Sequence, residues 1–341
     1  MKFSHISTLA FGALACAGLA QAQQAGGPEL IIHVQFGKGQ EVLKVTSCTG
    51  DSFQFTDRQG TPKMATPKDT SVFYIDTPKD LVEAEEAFRG NELAEARKKL
   101  AAVKNKYAMY NALPGNPSTK AALMELECCV RMQDWAAVKQ LTRTFPNFEL
   151  LKGEELGLLE AARITGNITD DPSCANNINK DYKYLTGKGK EALKNMPTDK
   201  YAWVCYARGR ALAAGLGESI PADKVNTMHE AVDLLCQCVM ASRGKNPELV
   251  EDALSRSIDL LVGAPGIKEA MGKLRGNITK KTWEDAPFDL KDAVAMAKIY
   301  RTIVAPKGKN KNADALCKLF YNAAPDRVKD NKGGGDNKAK K

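Results

Sequence analysis

The regular patterning of the chain begins with stretches in which apolar and polar residues alternate. Every second residue is apolar across Leu30–Phe36, and the same alternation returns at Phe53–Phe55. Because successive side chains of a strand point to opposite faces, this period of two predicts half-buried strands. A turn at Thr49-Gly50-Asp51 separates two of the runs, and the β-branched and aromatic stretch Val72–Ile75 ends them. We therefore predict a small β domain of four or five strands over residues 30–76.

This β stretch resembles the Sm-like or SH3-like small barrels that precede helical repeats in exported bacterial proteins. The matching features are the strand that begins at Leu30, a second strand over 41–46, the turn at 49–51 that leads into the Phe53–Phe55 strand, and the short last strand. The resemblance implies a barrel-like fold. It implies no particular ligand, because one fold serves many functions. We expect so small a domain to rest on the helices that follow, since it buries little area alone.

After Pro78 the apolar residues recur every three or four positions, which is the period of amphipathic helices. Three helical hairpins are predicted from apolar positions that share a face: Leu81, Ala84 and Phe88 with Leu93, Ala96, Leu100 and Val103; Leu123, Leu126 and Val130 with Trp135, Val138 and Phe145; Trp203, Tyr206 and Ala207 with Ala231, Leu235 and Cys238. Further helices are predicted at 249–262, 290–304 and 312–323. The pattern therefore indicates a mainly α chain.

The hairpins resemble tetratricopeptide repeats. Trp203, Tyr206 and Ala207 match the first helix of such a repeat, and Ala231, Leu235 and Cys238 match the second. The repeats are degenerate, since Ala96 and Val138 stand 42 residues apart, against about 34 in a regular array. The resemblance implies a tetratricopeptide-like α-solenoid over residues 78–324, in which stacked hairpins share a core and leave a groove for a partner's peptide.

The N-terminus reads as a cleaved signal peptide. Lys2 precedes the apolar run Ile6–Leu19, and Ala20-Gln21-Ala22 supplies small residues for cleavage after position 22. The run is shorter than the roughly 20 residues of a membrane-spanning helix, and no later segment is as apolar. We expect an exported protein, periplasmic or extracellular, with no transmembrane span and with a flexible leader at 23–29. Acylation of Cys16 is the alternative and would give a lipoprotein.

Charge modifies this picture only at the C-terminus. The chain holds 49 Lys and Arg against 41 Asp and Glu, a net charge of +8. Residues 326–341 carry six basic and three acidic side chains around a triple glycine. This composition predicts a disordered basic tail at 325–341. The charge on the rest of the chain is too small for us to predict nucleic acid as a partner.

The cysteines leave the disulfide question open. Nine are present, and eight remain after the predicted cleavage: Cys48, Cys128, Cys129, Cys174, Cys205, Cys236, Cys238 and Cys317. Four disulfides are possible in an exported chain, but the irregular spacing does not indicate their pairing. For Cys128, Cys205 and Cys236, each on a predicted helix, we favour the interpretation of small buried apolar side chains over disulfide bonding.

The best metal-like arrangement is His229, Asp233 and Cys236, which share one face of a predicted helix. Structural zinc sites take four ligands, and Cys238, the nearest further candidate, points away from Cys236. We therefore predict no metal site, and we expect His229 to be a hydrogen-bonded residue at the surface or the boundary of the core.

Two other motifs have simple interpretations. Gly187-Lys188-Gly189-Lys190 lacks the spacing and the preceding buried strand of a phosphate-binding loop, so we predict a basic turn. Glu83, Glu85 and Glu86 alternate with apolar helix positions near Arg89, which indicates a solvated face and not an acid/base pair.

The sequence thus predicts no catalytic, cofactor-binding or metal-binding residue and no cofactor. Trp135 and Trp203 fall at positions where helical repeats need bulk, so we expect them in the core. We interpret the chain as an exported, non-enzymatic scaffold or adaptor that binds a protein or peptide partner in its helical groove. Two alternatives stay open: a cell-envelope hydrolase or cell-wall-modifying enzyme that uses scattered carboxylates, and a surface-anchored lipoprotein adhesin.

Overall fold

The computed structural model describes residues 27–36, 39–49, 52–57, 59–66, 71–168, 194–275, 278–304 and 310–320. Several predictions fall outside these residues. They are the signal peptide at 1–22, Cys16, Cys174, the basic turn at 187–190 and the tail at 325–341. Within the described residues the chain is mainly α-helical with one small antiparallel sheet near its N-terminus, so the predicted fold class is confirmed.

The sheet has five strands: β1 (Leu30–Phe36), β2 (Gly39–Thr49), β3 (Ser52–Thr56), β4 (Pro62–Ala65) and β5 (Ser71–Ile75). Their order is β4-β3-β2-β1-β5, so β5 returns to pair with the first strand. The alternation in the sequence becomes a buried face formed by Leu30, Ile32, Val34, Leu43, Val45, Phe53 and Phe55. A register shift between Val45 and Ser47 interrupts the β2–β3 pairing.

Twelve α-helices lie in the described part of the chain: α1 (Lys79–Arg89), α2 (Leu93–Lys106), α3 (Pro117–Arg131), α4 (Trp135–Arg143), α5 (Glu154–Ile168), α6 (Thr198–Ala214), α7 (Val225–Ser242), α8 (Pro247–Gly263), α9 (Ile267–Leu274), α10 (Lys280–Glu284), α11 (Phe288–Ile303) and α12 (Lys311–Phe320). The sequence analysis did not predict α5, α9 or α10. The predicted helix over 312–323 is α12, and 321–323 lie outside the described residues.

The chain divides into two compact units. Unit 1 comprises the described residues up to Cys128 together with Phe145–Leu151, and unit 2 comprises Cys129–Thr144 and the described residues from Lys152 onward. The small sheet therefore shares a unit with α1, α2 and most of α3.

In unit 1, one tyrosine joins the sheet to the segment that follows α2. Tyr110 is fully buried, and its single hydroxyl proton is shared between two backbone carbonyls, that of Val45 at 3.1 Å and that of Pro28. Burial raises the pKa of Tyr110 to about 12, because the phenolate would lose its hydration. The neutral hydroxyl thus stays a donor to the backbone of the sheet.

In unit 2, α6 and α7 form the most extensive helix pair, as the third predicted hairpin requires. The residues predicted to face each other are all buried: Trp203, Tyr206, Ala207, Ala231, Leu235 and Cys238. Gly209 permits the close approach, since a Cβ atom there would lie 2.7 Å from Leu235 Cγ and 3.1 Å from the carbonyl oxygen of Ala231. Further along, α8 packs on α7, α11 on α8, and α12 on α11.

Candidate functional site

The main candidate site is a cavity of about 640 Å³ in unit 2, which we call the α6–α8 cavity. It lies among the C-terminal end of α6, the second half of α8 and the start of α12. Its lining residues are Ala213, Ala214, Gly217, Glu218, Ser255, Arg256, Asp259, Leu260, Val262, Gly263, Lys268, Asn310, Lys311 and Asn312.

A close backbone contact fixes one wall of this cavity. The N–H of Ile220 donates to the carbonyl of Gly263 at 3.0 Å, so the segment after α6 is held against the end of α8. A Cβ atom on Gly263 would come within 2.8 Å of the carbonyl oxygen of Glu218. Only glycine therefore fits at the end of α8, and its absent side chain lets Glu218 reach the cavity.

Asn310 fixes the opposite wall. Its side chain is almost completely buried, and Nδ2 donates to Ser255 Oγ and to Asp259 Oδ1, each at 2.9 Å. Its Oδ1 accepts from the N–H of Ala313 at 2.7 Å, which caps the first turn of α12. Asn312 Nδ2 also donates to Asp259 Oδ1, at 2.9 Å. One asparagine thus both starts α12 and anchors it to α8.

A chain of charged and polar groups leads from the cavity along α6 and α8. Arg256 bonds Asp252, and Asp252 Oδ2 accepts from the hydroxyl of Tyr206 at 2.7 Å. The same hydroxyl accepts from Arg210 Nη1 at 3.1 Å. Burial raises the pKa of Tyr206, and the negative charge of Asp252 raises it further. Tyr206 therefore stays neutral and links two helices that are far apart in sequence.

The turn between α3 and α4 covers part of this polar chain. Trp135 lies with its ring centroid 6.0 Å from that of Tyr206, and the guanidinium carbon of Arg210 lies 5.8 Å from the Trp135 ring. Arg131 Nη2 lies 3.4 Å from Glu248 Oε1 on α8. Trp135 packs against the polar side of α6 and is only half-buried. The prediction that it lies in the core is therefore wrong.

The charges that line the cavity are of both signs. Arg256, Lys268 and Lys311 are cationic, and Glu218 and Asp259 are anionic. In the part of the chain that the structure describes, no ion pair engages Glu218, Lys268 or Lys311. Such a lining offers hydrogen-bond donors and acceptors to a ligand that itself carries both kinds of group. An extended polypeptide is such a ligand.

A second cavity, of about 440 Å³, lies in unit 1. It is lined by Tyr74, Ile75, Asp76, Thr77, Pro78, Leu81, Pro114, Gly115, Pro117 and Lys120. Its charged groups are already paired, since His33 Nε2 lies 3.1 Å from Asp76 and Lys120 Nζ lies 2.7 Å from Glu85. It therefore offers less unpaired charge to a ligand than the α6–α8 cavity does.

The metal-like residues of the sequence do not converge. His229 Nε2 lies 2.9 Å from Asp289 Oδ1 at the start of α11, while Asp233 is exposed. Burial, followed by the charges of Asp233 and Asp292, raises the pKa of Cys236 to about 11. Among the described residues, no group of three or more His, Cys, Asp or Glu side chains is placed to hold a metal ion.

The other residues considered in the sequence analysis form ion pairs or are at least half-buried. Glu85 pairs with Arg89 at 3.2 Å and with Lys120, and Glu83 lies 3.8 Å from Lys79. Cys128 and Cys205 are buried as predicted, and Cys236 is only half-buried. Trp203 is fully buried as predicted, and its Nε1 has no hydrogen-bond partner within the described structure.

The sequence matches no known family model, and comparison with curated proteins and with solved structures finds no similar protein. Among the helices that the structure describes, none has the length and apolar character needed to cross a membrane. Sequence reasoning missed the cavity residues Ser255, Asp259 and Asn310, because each is an ordinary polar residue on a helix or at its start and only the fold brings them together.

Proposed function

We propose that this chain is an exported, non-enzymatic binding protein that holds an extended peptide segment of a protein partner in the α6–α8 cavity. Its helical region is tetratricopeptide-like, and its N-terminal sheet is Sm-like or SH3-like. The successive packing of α6, α7, α8, α11 and α12 supports the first resemblance, because each helix of this series packs against the next. The return of β5 to β1 supports the second.

The observation that carries the proposal is the lining of the cavity. Charges of both signs stand beside amide groups, and Leu260 and Val262 supply apolar surface between them. A peptide segment presents the same mixture, namely backbone N–H and C=O groups, charged side chains and apolar side chains. The cavity is large enough for a few residues, and most specific small-ligand sites fall in this range of volume.

The test is to fill the cavity without disturbing the fold. Ala214 is exposed and lines the cavity, so Ala214→Trp places an indole in it. Ala94, exposed on α2 in unit 1, gives the matched control Ala94→Trp. With a photo-crosslinking amino acid at Lys268, we expect the parent chain and the control to form the same adducts in cell-envelope extract, and Ala214→Trp to form none of them. Identical adducts from all three proteins, or no adduct above an unirradiated sample, would contradict the proposal.

Export is tested separately. Expressed with residues 1–22 in place in a Gram-negative bacterium, the protein is expected in the periplasm with Gln23 as its first residue, by mass spectrometry of the intact chain. A chain that keeps Met1 would refute export. An acylated N-terminal Cys16 that disappears in Cys16→Ser would favour the lipoprotein alternative instead.

A further inference from the structure

A different side of unit 2 carries exposed apolar side chains. Phe288 on α11 is 81% exposed and Met240 on α7 is 77% exposed, more than any other large apolar side chain that the structure describes. Ile299 and Ile303, also on α11, are 45% and 55% exposed. Exposed apolar surface marks an interaction site when its residues share one face, so the placement of these side chains on their helices decides what they mean.

These side chains belong to two continuous helix stripes. On α11 the exposed stripe is Phe288, Asp292, Ala295, Ile299 and Ile303, at spacings of three or four residues. On α7 the corresponding stripe is His229, Asp233, Cys236 and Met240, with the same spacings; Cys236 is half-buried and the other three are exposed. Residues at such spacings share one side of a helix. Each helix therefore presents one mixed acidic and apolar side.

The two stripes lie next to each other. His229 Nε2 on α7 lies 2.9 Å from Asp289 Oδ1 on α11. Cys236 is close enough to feel the charges of both Asp233 on α7 and Asp292 on α11. Helix α8 packs against both helices. We call the two stripes together with Asp289 the α7–α11 face.

The charge of this face is acidic. The face carries three carboxylates, those of Asp233, Asp289 and Asp292, and the basic groups beside them are His229 and Lys291. Lys291 Nζ lies 5.1 Å from the Phe288 ring centroid and 2.8 Å from the carbonyl oxygen of Glu284. A surface that combines exposed apolar side chains with carboxylates is complementary to a segment that combines apolar side chains with Lys or Arg.

We propose that the α7–α11 face docks a cationic amphipathic helix of a partner protein. The apolar side of that helix packs on Phe288, Met240 and Ile299. Its basic residues lie beside Asp233 and Asp292. The face is distinct from the α6–α8 cavity, so this docking does not depend on the peptide site proposed above.

The test uses the full chain and a defined probe. A fluorescent helical peptide of about 18 residues, five turns long, carries leucine on one side and lysine on the other. Its analogue replaces every lysine by glutamate. We expect fluorescence anisotropy to show binding of the lysine peptide only, and the double variant F288S/M240S to weaken it at least about tenfold. Met64→Ser removes a side chain that is 63% exposed on β4 in unit 1, and this matched control is expected to bind like the parent.

A second variant tests the charges. D233N/D292N keeps the apolar side chains and is expected to weaken binding by about threefold to tenfold and to reduce its salt dependence. All the replaced side chains are exposed, and circular dichroism of each variant verifies the fold.

Four results would overturn the proposal. They are equal binding of the glutamate peptide, unchanged affinity in both double variants, self-association of the chain that F288S/M240S abolishes, and tighter peptide binding after truncation behind Phe320. The third result would assign the face to a second copy of this chain, and the fourth would assign it to the chain's own C-terminal residues.

Discussion

Each compact unit contains a fully buried tyrosine whose hydroxyl joins distant parts of the chain, yet the two hydroxyls have different partners. In unit 1, Tyr110 donates to backbone carbonyls of Val45 and Pro28. In unit 2, Tyr206 donates to the carboxylate of Asp252 and accepts from Arg210. The first junction is neutral and ends at the backbone. The second is part of a charged chain of side chains that continues to the α6–α8 cavity.

Of the two tyrosine junctions, only the one at Tyr206 has partners whose interactions a bound ligand can change. A backbone carbonyl cannot change its charge, so the Tyr110 junction has one state. The Tyr206 junction includes charges whose pairing a bound ligand can alter, because charge-assisted hydrogen bonds are strong and depend on what lies nearby. We therefore expect unit 1 to respond to substitution only in stability, and unit 2 to respond in both stability and binding.

The largest expected effect concerns the apolar side of α6, which holds Tyr206 in place. Trp203→Ala should lower the free energy of unfolding by about 3–5 kcal/mol, because it empties a fully buried site. Trp203→Phe is the matched control and should cost less than about 1.5 kcal/mol, since the indole N–H has no acceptor among the described residues. Urea unfolding followed by circular dichroism measures both. A loss below about 1 kcal/mol for the alanine variant would place Trp203 outside the core.

The next effect concerns the charged junction itself. Asp252→Ala leaves Tyr206 without its acceptor and Arg256 without its carboxylate, so we expect a loss of about 2 kcal/mol. Tyr206→Phe alone should cost about 1 kcal/mol. Because the two residues share one bond, the double variant should lose less than the sum of the single losses. Additive losses in this double-mutant cycle would show that the two side chains are not coupled.

A smaller effect is expected at the neutral junction. Tyr110→Phe keeps the ring and removes the hydroxyl, so it should cost about 1 kcal/mol and should leave the photo-crosslinked adducts of the α6–α8 cavity unchanged. The same unfolding and crosslinking assays, applied to Tyr206→Phe, should show altered adducts. Equal crosslinking by these two variants would remove the distinction drawn between the junctions.

The last effect appears only at high pH. The pKa of Tyr110 is about 12 in the folded chain, against about 10 in an unfolded one. The folded state therefore holds this proton more tightly, so the stability that Tyr110 supplies is complete below about pH 10 and is lost as the pH rises toward 12. We expect Tyr110→Phe to lose less stability than the parent between these two pH values. An identical alkaline decline in both proteins would contradict the raised pKa.

Sequence pattern predicted the parts of the fold that have one buried side. The alternation at Leu30–Phe36 became β1, and Trp203, Tyr206 and Leu235 lie in the α6–α7 interface as their spacing required. Helix α5 was missed because it is buried on more than one side. Leu156, Leu159, Ala161 and Ile164 are all buried, so no single apolar stripe stands out against a polar one.

The candidate site could not be predicted in the same way. Ser255, Asp259 and Asn310 meet through contacts across more than 50 residues of chain, and local periodicity carries no information on such distances. The hydrogen-bond partner of His229 could not be predicted for a related reason. Helical spacing placed His229 and Asp233 on one side of α7, but it could not show that Asp289 on another helix is the partner of His229.

Deamidation of Asn310 would change one wall of the α6–α8 cavity. Spontaneous deamidation would convert its side-chain amide into a carboxylate, and the donor now 2.9 Å from Asp259 Oδ1 would become an oxygen that repels it. The bond to the backbone carbonyl of Ser255 would be lost in the same event, whereas the Ser255 hydroxyl can turn to donate, and the cap on Ala313 would survive. A change at one atom would thus weaken the hold of α8 on α12 and leave the cap of α12 in place.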